Sequence, residues 1–179
     1  MIGALRLGAL GIGMLVFQAL LTALLPLGFR PDVVLVFAAA MGLQRGREMQ
    51  GLVFAFGIGF AMDVMSGSPQ GLYALLRGTA CAATRVLDRA LYVSTPLSWA
   101  LYCGVYWVVD WLAVGLILQF LQPAAALPWA EIARNAPGAA VLTALVASAL
   151  LGLFRRIDSG SERDTDWDSF GRGGQRVRP

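Results

Sequence analysis

The sequence predicts an all-α polytopic membrane protein with six transmembrane helices. Three observations carry that expectation. Hydrophobic residues make up 58% of the chain and charged residues only 14%, where an ordinary soluble domain has about a quarter charged. The mean hydropathy is +0.67. The charges are also clustered, with eleven of them in the last 25 of the 179 residues. What precedes them is a series of apolar runs of membrane-crossing length. The chain therefore divides into a six-helix transmembrane domain, residues 1–156, and a tail, residues 157–179.

The first span covers residues 5–28. Its apolar run, residues 7–29, is 23 residues long, beyond the roughly 7–15 of a cleaved signal peptide. It reads as an uncleaved helix, ended by Pro26, Gly28, Arg30 and Pro31. The second span opens at Pro31 or Asp32 and stops at Gln44. Proline in a first helical turn forfeits no hydrogen bond, and an acid there suits the positive helix end. Thirteen residues (31–43) reach only ~20 Å, short of a ~30 Å hydrocarbon core. Neighbours must shield this span, or polar turns must extend it.

The polar turn QRGREMQ, residues 44–50, leads to a third span at 51–65. Residues 66–70, SGSPQ, form an uncharged turn. The fourth span covers 71–87 and is closed by Asp88 and Arg89. The fifth, 96–121, is rich in aromatics: Trp99, Tyr102, Tyr106, Trp107, Trp111 and Phe120. Residues 122–137 hold three prolines, and their PWAEIARN segment reads as a short interfacial helix anchored by Trp129. The sixth span, 138–154, is stopped by Arg155 and Arg156. The tail beyond it is rich in Gly, Ser and charge and poor in aliphatics. It has too little apolar surface to fold alone and is expected to be disordered.

Six spans return both termini to one side of the membrane. With that side cytoplasmic, Arg6, Arg45, Arg47, Arg85, Arg89, Arg155, Arg156 and Arg163 lie inside near span ends, and only Arg30 and Arg134 lie outside. This is a strong positive-inside bias. It also accounts for the net charge of +3, with every basic residue an Arg, without invoking nucleic acid.

Asp63, Arg77 and Asp110 fall within spans, where each charge carries an insertion cost of roughly 2.5–3.5 kcal/mol. Asp63 and Arg77 flank the 66–70 turn at depths differing by only ~6 Å. An arginine stem covers that by snorkelling, so the expected pair is Asp63–Arg77, with Asp110 the rival partner. Arg77, Cys81, Thr84 and Asp88 share one stripe of the fourth span; Tyr102, Tyr106 and Asp110 share one of the fifth. Facing each other, they make an intramembrane polar seam comprising Asp63, Arg77, Asp110, Tyr106 and Thr84. The seam reads first as a structural or partner-docking network and second as a small-ligand site. Gly51, Gly57, Gly59, Gly67 and Gly71 are candidates for close helix packing, within the chain or against a partner.

No catalytic constellation emerges. Histidine is absent, which excludes a His relay or a Ser/His pair. Cys81 and Cys103 sit in apolar runs without metal-ligand spacing and read as small packing residues. Gly57-x-Gly59 lies in an apolar helix without the third glycine of a nucleotide loop. No enzyme activity, cofactor or metal is expected.

The order of residues 30–87 resembles the MreD family, the small membrane proteins of the bacterial rod-shape machinery. The resemblance is carried by Pro31 and Asp32 opening the second span, then Gly59-x-x-x-Asp63. It continues through Ser66, Gly67, Pro69 and Gly71 to Ala74-Leu75. It implies a non-enzymatic subunit of the elongation complex in the bacterial inner membrane. Such a subunit scaffolds MreC and works with the MreB filament and the RodA–penicillin-binding protein 2 synthase during lateral wall growth. No small-molecule substrate and no nucleic acid is implied. It also implies a fold similar to the S components of energy-coupling-factor transporters. That similarity supplies the alternative: an S component-like protein binding a small solute in an outward cavity lined by Arg77, Asp110, Tyr106 and Trp107. The arginine- and acid-rich tail is an addition on which the resemblance says nothing.

Overall fold

A computed structural model describes residues 2–26, 29–44, 48–91, 95–121, 129–130, 133–134 and 136–152. These residues are helical and contain no strand. The elements are α1 (Ile2–Leu24), α2 (Val33–Gly42), α3 (Glu48–Ser66), α4 (Leu72–Leu91) and α5 (Pro96–Leu121), followed by α6 (Ala136–Gly152). Segments of α1 (Leu7–Leu24), α3 (Met49–Ser66) and the whole of α5 are long and apolar enough to cross a membrane, while α2 and α6 are shorter apolar helices. The fifth span begins and ends where the sequence places it. The fourth does not end at Asp88 and Arg89: both lie in the last turn of α4, which runs on to Leu91. The tail, residues 157–179, lies outside the described residues, as does half of the expected interfacial helix; its described residues, 129–130 and 133–134, are helical.

The short α2 is the centre of the bundle. All ten of its residues are buried, and it packs against α1, α3, α4 and α5. Ala147 and Leu151 of α6 join the same core. Ten residues of helix rise only ~15 Å, so α2 cannot bring its own ends to water. In lipid backbone N–H groups must be satisfied from within, and three at the start of α2 are met by side chains. Asp32 is the N-cap, and its Oδ1 accepts from the Leu35 N–H at 2.8 Å. The Val33 N–H donates to Oε1 of Gln18 on α1 at 2.7 Å. The Asp32 N–H donates to Oγ1 of Thr143 on α6 at 3.1 Å.

Two close crossings hold α3 in place. Gly51 lies against the Met41 carbonyl of α2, and Gly59 against the Tyr73–Ala74 backbone of α4, so a Cβ at either would collide with main chain. The α3–α4 turn uses Gly67 at φ 66° and Gly71 at φ 94°, a region that side-chain-bearing residues rarely adopt. The result is a bundle whose Asp32 end gathers the start of α2, the α3–α4 turn, the latter part of α5 and the start of α6.

Candidate functional site

Arg77 is fully buried, yet it sits on α4, whose outer face shows Leu75 and Val86. The helix turns its charge inward and its apolar side chains outward, the arrangement lipid favours. The guanidinium bridges two helices. Its Nη2 donates to Oδ2 of Asp32 at 2.6 Å, and its Nη1 donates to Oδ2 of Asp110 at 3.0 Å. Its carbon Cζ lies 5.6 Å from the centre of the Tyr73 ring, one turn earlier, within the range of cation–π attraction. One arginine thus ties α4 to the start of α2 and the middle of α5.

Asp63 is not its partner, which corrects the expected hairpin pair. The Asp63 carboxylate accepts from the backbone N–H groups of Gly71 (3.1 Å), Tyr73 (2.8 Å) and Ala74 (3.1 Å), and from the Ser68 hydroxyl (2.9 Å). It caps α4 from α3. Similar depth in the membrane is not what decided the matter. The orphan N–H groups at the start of α4 need an anion more closely than Arg77 does, and Arg77 is already matched by two carboxylates.

The structure brings α4 and α5 together through a series of polar contacts. Besides Arg77–Asp110, the Tyr106 hydroxyl lies 3.2 Å from the Thr79 hydroxyl. The Thr84 hydroxyl lies 2.8 Å from that of Tyr102 and donates to the Ala80 carbonyl. Cys81 is buried among apolar residues instead. Pro31, Ser66 and Pro69 frame the two capped turns; the Pro69 carbonyl accepts from the Leu72 N–H at 3.1 Å. Asp32, read from sequence only as a helix opener, makes the shorter of the two ion pairs of Arg77. Gln18 and Thr143 were missed altogether. Their one signal is that each is a polar residue in an apolar run.

Beside the charge centre, at the Asp32 end, lies a cavity of about 690 Å³. Gln18, Asp32, Tyr73, Trp107, Asp110 and Trp111 contribute to its wall, and Arg30 does too. Arg77 and Tyr106, expected in such a cavity, do not. No group of His, Cys, Asp and Glu that could hold a metal is found among the described residues.

A family model described as rod shape-determining protein MreD matches residues 5–126. The chain belongs to the MreD family. No curated protein and no solved structure matches it. The match runs through α1 to α5, well beyond the stretch that carried the resemblance, and includes Asp32, Asp63, Arg77 and Asp110. This MreD family member is therefore a rod-shape-determining membrane protein. At its charge centre one guanidinium is held between two carboxylates, joining α4 to the start of α2 and the middle of α5.

Proposed function

We propose that this MreD family member is a non-enzymatic scaffold. It resides in the bacterial inner membrane with both termini cytoplasmic, and it holds MreC for the MreB filament and the RodA–penicillin-binding protein 2 synthase. The observation that carries the reading is the outer face of α3. Val53, Gly57, Phe60 and Val64 form one exposed stripe along it. A Cβ at Gly57 would meet nothing within 4 Å, unlike Gly51 and Gly59, which are spent on packing inside the chain. A small residue amid apolar side chains on a lipid-facing stripe permits close approach of another helix. MreC is the occupant this reading assigns to it.

Affinity capture of the tagged chain from native membranes tests this. MreC is expected in the eluate, and Gly57→Leu is expected to reduce it severalfold while leaving chain level unchanged. Intact, inserted protein that never recovers MreC would overturn the reading. The solute-uptake alternative, with its S component-like fold, has the cavity in its favour. It gains support if transport of a retained solute depends on this chain.

A further inference from the structure

Asp110 has one oxygen to spare. Its Oδ2 is held by Arg77, while Oδ1 is buried and has no hydrogen-bond partner among the described residues. Asp32 has none to spare, because Oδ1 caps α2 and Oδ2 is on Arg77. The buried trio of Asp32, Asp110 and Arg77 carries one more formal negative charge than positive. Buried charges call for compensation; Asp110 lines a cavity whose wall also holds the half-buried Arg30, so the site offers an unpaired carboxylate oxygen and a separate cation. That cavity, about 690 Å³, is within the usual range for small-molecule sites. Trp107, Trp111 and Tyr73 contribute to the same wall, and Trp107 and Trp111 lie with ring centres 5.7 Å apart. Aromatic faces beside a carboxylate favour an organic cation.

A bare metal ion suits the site poorly, since hard cations want a shell of about six or more oxygens. No group of acids and thiols suited to a metal is found among the described residues, and Gln18 Oε1 already accepts from the Val33 N–H. Arg30 also lines the cavity and is only half-buried, its Nε donating to the Leu25 carbonyl at 3.0 Å. It gives the anionic part of a zwitterion a place to lie. We infer that this cavity binds an ammonium group, with Asp110 as the counter-charge and Trp107 and Trp111 as aromatic walls. The ammonium belongs either to a free small amine or to an aminophospholipid headgroup. The inference stands apart from MreC capture, and either can fail alone.

The full chain, purified into phosphatidylglycerol nanodiscs, is titrated with choline and with ethanolamine while tryptophan emission and Tm are followed. A saturable shift and a raised Tm identify a free amine. A raised Tm only when phosphatidylethanolamine replaces phosphatidylglycerol identifies a headgroup. Asp110→Asn is expected to weaken either effect by about tenfold or more. Arg77 keeps Asp32 in that variant and the trio becomes neutral, so the bundle is expected to insert. Should it fail to, Trp111→Leu, at a partly exposed position, decides the matter by the same loss. No response of the wild type to any of the three probes would overturn the inference. So would an undiminished response in the variants.

Discussion

At Arg77 the choice of residue type matters more than the charge. A guanidinium presents a rigid fork that reaches two acceptors at once, whereas an ammonium is a single point. Here the fork spans Asp32 and Asp110 on different helices. A buried ion pair does not by itself imply large net stability, because desolvation offsets the attraction, but removing one side strands the other. Arg77→Met should therefore cost about 3–5 kcal/mol, read as a lowered Tm in detergent and a fall in membrane-inserted protein. Adding Asp32→Asn and Asp110→Asn should recover much of that loss. The stranded charges go, while the side-chain amide oxygen introduced by Asp32→Asn can still cap α2. Arg77→Lys should fall between. Wild-type stability in Arg77→Met would show that the bridge fixes nothing.

At the scale of the element, the helices are held by backbone contacts that tolerate no side chain. A Cβ on Gly42 would strike the Cys81 carbonyl and Thr84 Cβ, and one on Gly59 would strike the Tyr73 carbonyl. Gly42→Ala and Gly59→Ala should each destabilise by about 1–3 kcal/mol, the usual cost of overpacking. Gly57→Ala should be close to neutral or slightly stabilising, given its open surroundings and the better helix propensity of alanine. Thermal unfolding of the three purified variants checks the order, and equal losses would sink it. The same elements show what was legible beforehand. The limits of α5 could be read from hydropathy, because a long apolar run needs no partner to declare itself. The shortness of α2 could be read as a problem, but not its solution. The donors to Thr143 and Gln18 lie 111 and 15 residues away in sequence, and no periodicity links them. Asp63 was misassigned because depth arithmetic counts side chains and ignores the unpaired N–H groups of the next helix.

For the whole molecule, the fold outruns the family match. Residues 5–126 stop short of α6, yet α6 supplies the Thr143 acceptor to α2 and Ala139 and Ala147 to the core. Among the described residues the physical unit thus includes α6, and on the proposed six-span topology an even number of crossings returns the chain to the side it started from. Arginine placement then selects the orientation. Arg85 and Arg89 lie in the last two turns of α4, at the end opposite Asp32, and Arg45 and Arg47 stand just before α3 in the sequence; on the proposed topology the positive-inside rule then sets the Asp32 end and its cavity outward. Thiol labelling can decide this with little background, because Cys81 and Cys103 are both buried. Gln70→Cys, in the exposed α3–α4 turn, should react with a membrane-impermeant maleimide on intact spheroplasts. Ser159→Cys, in the tail, should react only after permeabilisation. The reverse pattern would put the arginine-rich ends outside and the cavity on the cytoplasmic face. The reading of Arg30 and Arg134 as the two outlying charges would then be wrong.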